Sequence, residues 1–115
     1  MDGQITFTEY LEENPLEMLY IEEVVEIIGK ELGLSFRWND YLEEYEAKIK
    51  GGIKASISFS RYDTGDHRDG RRFISCGVDM TTGGVGCGED SIEEAVIFLR
   101  KGIEHLQEER RRAKE

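Results

Sequence analysis

The sequence predicts a single α+β domain, in which a helix, a three-stranded antiparallel sheet and a second helix follow a short extra N-terminal helix. Apolar residues recur at three- and four-residue steps in two segments and alternate with polar residues in the segments between them. The length of 115 residues suits one hydrophobic core, so the domain is expected to span 1–115. We expect both long helices to cover one sheet face and the other face to stay partly open.

Two helices are predicted in the first third of the chain. The short one is expected around TFTEYLEEN, where a threonine and a glutamate can form a capping box. The long one is expected to begin at Asn14 and Pro15, which suit a helix cap and a first helical position. Its apolar face repeats with the helical period as far as Leu32, and Gly33 supplies a stop.

The strand signal is clearest in YEAKIKGGIKASISFS, where apolar and polar residues alternate on both sides of Gly51 and Gly52. The two glycines suit the tight turn of a hairpin. FISCGVDM predicts the third strand by the same alternation. LSFRW is either a short strand or the return of the chain across the core, and TTGGVGCG contains either a brief extra strand or a bulge around Val85.

The last helix is predicted to begin at Ser91, which forms a capping box with Glu94. An apolar stripe from Ile92 to Leu106 would pack on the core. The tail EERRRAKE lacks large apolar residues. We therefore expect the helix to fray from about residue 108.

Composition and cysteine usage indicate a cytoplasmic protein. No apolar run approaches the length that spans a bilayer, and MDGQITF lacks the basic and apolar parts of a secretion signal. Cys76 and Cys87 lack zinc-site spacing and suit a reducing compartment. We expect both thiols to be free. The alternative is one disulfide between them, which requires that their segments pair as a hairpin.

The net charge of −10 is unevenly distributed along the chain. Residues 1–46 carry 13 acidic and 2 basic side chains, residues 47–72 carry 3 and 7, and residues 73–115 carry 9 and 6. The first third therefore supplies more than the whole net charge. Such a surface repels nucleic acid and anionic membranes and attracts cationic proteins, so we expect no direct binding to nucleic acid or membranes.

The segment DTGDHRDG places Asp63, Asp66, His67 and Asp69 close together, as a site for a divalent cation would. The spacing departs from the EF-hand loop and lacks its distal glutamate. Neighbouring arginines oppose a cation, so a solvated, internally salt-bridged loop is favoured. A weak metal-dependent enzyme remains as a third possibility for the function, behind the two described below.

Nucleotide binding and catalysis are not favoured by the remaining motifs. GGVGCG has neither the glycine spacing nor the lysine of a nucleotide loop, and Glu89 and Asp90 occupy the helix start where a phosphate would lie. Cys76 is expected to point into the core, and Cys87 has no evident histidine neighbour. We expect a protein that is not an enzyme and that has no metal and no cofactor.

The order of elements and the run SIEEAV after a glycine-rich loop resemble the double-stranded-RNA-binding domain. That family grips phosphates with lysines at the start of its last helix. Ser91 and Ala95 match the family's pattern, whereas Ile92, Glu93 and Val96 stand where its lysines belong. The resemblance therefore implies topology without RNA binding.

The size, acidity and helix–sheet–helix outline also resemble those of anti-CRISPR proteins carried by phages and other mobile elements. That resemblance implies a non-enzymatic inhibitor that blocks the DNA-binding or PAM-reading groove of a guide-RNA-loaded Cas nuclease such as Cas9. Carboxylates would act as a DNA mimic in that basic groove. The partner-binding carboxylates are expected to be Glu12, Glu13, Glu17, Glu22, Glu23, Glu26, Asp40, Glu43, Glu44 and Glu46.

The acidic cluster is also consistent with a surface that only keeps the protein soluble. The runner-up function, behind that of an inhibitor, is that of an adaptor or antitoxin-like module. Such a module would bind a protein through the open sheet face or edge. The residues expected to serve that alternative are Ser56, Ser58, Ser60, Arg68, Arg71 and Arg72.

Overall fold

The structure is a computed structural model and describes residues 16, 19–61, 72–80 and 83–114. Within this part of the chain, two helices flank five strands in sequence order. Helix α1 spans Ile21–Leu32 and helix α2 spans Ile92–Lys114. The strands are β1 (Arg37–Asn39), β2 (Glu44–Ile49), β3 (Ile53–Arg61), β4 (Arg72–Met80) and β5 (Gly83–Glu89).

The five strands form one antiparallel sheet in the order in which they occur in the chain. The register places Ala47 opposite Ala55, Ala55 opposite Val78, and Val78 opposite Val85. Residues that lie opposite one another share a sheet face. This row of small and β-branched side chains therefore crosses four strands on one face.

Both helices pack on that face. Val24 and Ile28 of α1 and Leu99 of α2 are fully buried, in the same core cluster as Ile57 and Ile74 of the sheet. Arg100 Nη2 also donates a hydrogen bond of 3.0 Å to the carbonyl oxygen of Glu31, which joins the two helices. Successive strand residues face opposite sides, so the serines of β3 lie on the other face, which no described helix covers.

The mixed α+β class is confirmed, but the prediction of a three-stranded sheet is wrong because β1 and β5 extend it to five strands. LSFRW contributes β1, which has only three residues and places Trp38 opposite Tyr45. TTGGVGCG contributes β5, which pairs with β4 along all seven of its residues. The three residues of β1 are too few to show a period, and the glycines of β5 weaken its strand signal.

Two of the four glycines of β5, Gly84 and Gly88, lie against side chains of β4. A Cβ atom added to Gly84 would collide with the Cβ of Asp79 and lie 2.8 Å from the carbonyl oxygen of Val78. A Cβ atom on Gly88 would lie 2.9 Å from the ring of Phe73. In an ordinary half-exposed strand, polar residues alternate with apolar ones. Glycine occupies the polar positions of β5, so the sequence does not show this alternation clearly.

Helix α1 begins at Ile21, whereas the sequence predicted a start at Asn14 and Pro15. Those two residues and the predicted short N-terminal helix lie outside the described residues. Leu16 is buried in the core, and Arg72 Nη1 donates to the carbonyl oxygens of Leu16 at 2.9 Å and Leu19 at 2.8 Å. In a continuous helix those oxygens would accept bonds from amides four residues later. The arginine thus favours a separate turn before α1.

The predicted stop, hairpin turn and start of the last helix are confirmed. Gly33 ends α1 with φ of 68°, in the left-handed conformation typical of a helix C-terminus. Gly51 and Gly52 have φ of 102° and 79° between β2 and β3. The amide of Glu94 donates to Ser91 Oγ at 3.2 Å, which is one half of the predicted capping box.

Helix α2 continues through the charged tail to Lys114. Glu108 forms ion pairs with Arg111 at 2.6 Å and with Arg112 at 3.4 Å. The expected fraying from about residue 108 concerns local opening, which hydrogen exchange measures, and it stays a prediction. Among the residues described, no helix is long and apolar enough to cross a membrane.

Candidate functional site

Helix α1 exposes three of the predicted carboxylates, those of Glu22, Glu23 and Glu26. Glu26 pairs with Lys30 at 3.2 Å, but both side chains are about two-thirds exposed or more, so solvent screens the pair. In the described part of the chain, Glu22 and Glu23 have no ion-pair partner. The exposed side of α1 is therefore strongly negative.

The carboxylates of β2 are in a different situation. Glu44 and Glu46 lie on the open sheet face, where Lys54 Nζ approaches them at 3.2 Å and 3.6 Å. Partial burial lowers the pKa of Lys54, but its hydrogen bond to Glu44 and the negative charges of Asp79, Glu44 and Glu46 outweigh burial and raise the pKa overall. The lysine stays charged, so these two carboxylates are already compensated within the protein.

The predicted acidic cluster is thus divided rather than gathered on one surface. Glu22, Glu23 and Glu26 lie on α1, whereas Glu44 and Glu46 lie on the open sheet face. Two further members lie in the turn between β1 and β2, namely Asp40 and Glu43. The remaining three lie outside the described residues, namely Glu12, Glu13 and Glu17.

Of the described residues of the alternative site, the three serines lie together on the open face of β3, and Arg72 lies apart from them. Ser56 Oγ lies 3.4 Å from the carbonyl oxygen of Gly77, to which it donates a hydrogen bond, and Ser58 is half-buried beside it on β3. Ser60 is exposed at the end of the same strand. Arg72 holds the turn before α1, while Arg68 and Arg71 lie outside the described residues. The open face therefore carries serines together with the charged side chains of Glu44, Glu46 and Lys54.

A groove that the sequence did not predict lies between the start of α1 and the β1–β2 turn. Its volume is about 340 Å³. Trp38 and Tyr45 form an edge-to-face pair in it, with ring centroids 5.0 Å apart and planes inclined by 62°. We call it the Trp38 groove, and it is lined by Ile21, Glu22, Trp38, Glu43, Tyr45, Ser58 and Phe59.

The Trp38 groove is negative as well as aromatic. Glu22 and Glu43 both line it, and its described lining contains no basic side chain. Burial, and then the negative charge of Glu22, raise the pKa of the Tyr45 phenol. The phenol is therefore neutral at physiological pH, and the charge of the groove comes from the two carboxylates. A second hollow of about 520 Å³ adjoins it on the other side of Glu22 and Tyr45.

One sequence signal could have located this groove. The segment from Trp38 to Tyr45, which joins LSFRW to the predicted strand YEAKIK, contains three aromatic residues and Leu42. Tyr41 is 92% exposed and Trp38 is 51% exposed, which is unusual for large apolar side chains so close together. The contribution of Glu22 depends on how α1 packs over the sheet, which no local pattern reveals.

Cys76 and Cys87 lie directly opposite each other on β4 and β5, and both are free thiols. Burial raises the pKa of Cys76 to about 12. Burial also raises the pKa of Cys87 to about 12, with a further contribution from Glu89, whose Oε1 accepts a bond from the thiol at 2.9 Å. Since the thiolate is the reactive form, neither cysteine is placed for nucleophilic chemistry near neutral pH.

We expect the native thiols to react with a disulfide reagent such as DTNB at least ~100-fold more slowly at pH 8 than the thiols of the denatured chain. The raised pKa values leave only a small thiolate fraction at that pH. The absorbance of the released thiol measures the rate, and a Cys76→Ala variant reports Cys87 alone. Complete labelling of the native protein as fast as the denatured chain would contradict the burial described.

No three histidine, cysteine, aspartate or glutamate side chains among the described residues are placed to hold a metal ion. The segment DTGDHRDG, whose carboxylates suggested a cation site, lies outside those residues. Comparisons with protein-family models, with curated proteins and with solved structures found no match.

Proposed function

We propose that the chain is a non-enzymatic inhibitor that binds a nucleic-acid-processing protein and blocks its DNA-binding groove. The observation that carries this proposal is the exposed acidic side of α1, where Lys30 pairs with Glu26, and Glu22 and Glu23 have no ion-pair partner among the described residues. Like charges at Glu22 and Glu26, one helical turn apart, repel each other and slightly destabilise the helix. A cationic partner would remove that repulsion.

The proposed target class is a guide-RNA-loaded Cas nuclease such as Cas9, in line with the resemblance to anti-CRISPR proteins. Such nucleases hold DNA in positively charged channels and read the PAM with arginines. Carboxylates on a rigid helix would occupy those positions, exclude DNA sterically and gain favourable electrostatic contacts. Opposite charges would also speed association, and the rate would fall with salt.

Charge reversal on α1 is expected to weaken binding to the target nuclease by about 100-fold or more, because it replaces attraction by repulsion at the centre of the interface. The variant is Glu22→Lys, Glu23→Lys and Glu26→Lys in one chain. Binding is measured by pull-down against a panel of guide-RNA-loaded Cas nucleases, with and without competing duplex DNA. Duplex DNA is expected to displace the wild-type protein.

The matched control reverses three exposed carboxylates of α2, namely Glu93, Glu104 and Glu109, and changes the net charge by the same amount. It should retain binding within a few-fold. An equal loss in both variants would mean that overall charge, rather than the α1 surface, drives binding. If bound protein resists displacement by DNA, mimicry is contradicted, and if no nuclease of the panel binds, the target class is wrong.

The second candidate is a protein-binding adaptor, favoured by the open sheet face, which no described helix covers, and by β5, whose described pairing is with β4 on one side. Strand addition or face-to-face docking would use this surface. An adaptor of this kind would bind its partner normally after charge reversal on α1. It would lose binding when Ser56 and Ser58 are replaced by glutamate.

A further inference from the structure

We propose that the Trp38 groove is the pocket for an arginine side chain of the partner protein. This inference rests on the proposed function, since it names the chemical group of the partner that is held beside α1. It adds a discrete anchoring site to the diffuse attraction of the acidic helix. The groove joins an aromatic surface, two carboxylates and a concave shape within one small region of the described residues.

The aromatic part of the groove is oriented before any partner binds. Trp38 Nε1 donates a hydrogen bond of 2.5 Å to Asp40 Oδ1, which fixes the edge of the indole. Tyr45 meets the indole edge-to-face, while 51% of the Trp38 side chain stays exposed. A guanidinium group can therefore lie against the indole without displacing a neighbour, and tryptophan is the ring to which cations bind best.

The turn that carries Glu43 is also held by its own hydrogen bonds. Asn39 Oδ1 accepts from the amide of Tyr41 at 3.0 Å and from the amide of Leu42 at 3.1 Å. Glu43 follows with φ of 53°, an uncommon conformation for a residue other than glycine. The carboxylate of Glu43 is therefore presented by an ordered turn, and that of Glu22 by a helix, on two walls of the groove.

Charge and shape together select arginine over other side chains. An apolar side chain would bury part of Glu22 and Glu43 without giving either carboxylate a partner, which is unfavourable. An acidic side chain would be repelled. Arginine offers a planar face for Trp38 and several N–H donors for carboxylates, whereas lysine offers a compact charge that does not stack.

The test uses the intrinsic fluorescence of Trp38, which is the only tryptophan of the chain. The full-length protein is titrated at low salt with N-acetyl-arginine amide and, separately, with the neutral isostere N-acetyl-citrulline amide. We expect a saturable change in emission with arginine in the millimolar range and at least tenfold weaker binding of citrulline. Equal responses to the two compounds, or no saturable response to arginine, would overturn the proposal.

Variants assign the binding to the groove. Glu22→Gln with Glu43→Gln is expected to weaken arginine binding about tenfold, because both carboxylates are neutralised while their volumes are kept. Glu93→Gln with Glu104→Gln, on the exposed side of α2, should leave the titration unchanged. All variants are compared by far-UV circular dichroism to exclude a folding defect. Unchanged arginine binding in the Glu22 and Glu43 variant would show that the fluorescence change arises elsewhere.

This experiment contains no nuclease, so its outcome is distinguishable from that of the proposed function. Arginine binding without nuclease binding would support the groove and reject the inhibitor proposal. Nuclease binding without arginine binding would support the inhibitor proposal and reject the groove as an arginine pocket. Where both occur, Trp38→Ala, which retains every carboxylate, is expected to weaken nuclease binding at least tenfold, and an unchanged affinity would reject the groove as the anchor.

Discussion

Replacing Leu99 with alanine is expected to lower the free energy of unfolding by about 3 kcal/mol. Leu99 is fully buried where α2 packs on the sheet, and it belongs to the same cluster as Val24 and Ile28 of α1. The truncation removes apolar contacts and leaves a cavity that a helix packed on a sheet cannot close. Urea denaturation followed by circular dichroism measures the loss as a lower midpoint at unchanged slope.

The matched control is Ile97→Ala, two positions earlier on the same helix. Ile97 is 42% exposed, so its truncation is expected to lower the free energy of unfolding by less than about 1 kcal/mol. Both changes create alanine in a helix, which largely removes helix propensity from the comparison. Similar losses at the two positions would mean that α2 does not pack with Leu99 inward.

Replacing Gly84 with alanine is expected to lower the free energy of unfolding by about 2 kcal/mol. In an ordinary strand the same change gives a small gain, because alanine has less freedom to lose on folding than glycine. Here the new methyl group would collide with Asp79 and crowd the carbonyl oxygen of Val78, so β5 must shift away from β4. Denaturant midpoints measure the effect directly.

Gly86→Ala provides the comparison for Gly84→Ala within the same strand. Its added Cβ would lie 3.2 Å from the carbonyl oxygen of Cys76, a contact that a small adjustment relieves. We expect a clearly smaller loss than at Gly84. If Gly84→Ala instead stabilises the protein, β5 does not pair with β4 in the register described.

Much of the fold was predictable where the signal was local. Gly33 ends a helix and Gly51 and Gly52 turn a hairpin through their own backbone conformations, so their identity alone indicates the structure. The amide of Glu94 bonds to Ser91 across one helical turn, which a short sequence pattern captures. The alternation in β3 and β4 likewise reflects a sheet with one buried face.

The two outer strands could not be predicted in the same way. β1 is stabilised by pairing with β2 and by the contact of Trp38 with Tyr45, and three residues are too few to show a period. β5 contains four glycines, which carry no side chains to show a buried and an exposed face. Gly84 of β5 lies against Asp79, and Gly88 lies against Phe73. The need for glycine at these positions therefore comes from β4, the neighbouring strand.

The candidate site was predicted in part for a similar reason. The sequence indicates that Glu22 and Glu26 share a helix side, because both belong to one periodic segment. It does not indicate that Glu44 and Glu46 face Lys54 across the sheet, since that contact depends on the register of β2 against β3. The Trp38 groove requires both the register of β1 and the position of α1 over the sheet.

The order of strands in the sheet has a consequence for folding kinetics. Because every strand pairs with its neighbour in the chain, the sheet can grow hairpin by hairpin, and each step closes only a short loop. Low contact order of this kind is associated with rapid folding among β-rich domains. The contact between α1 and α2, which joins distant parts of the chain, is then expected to form last.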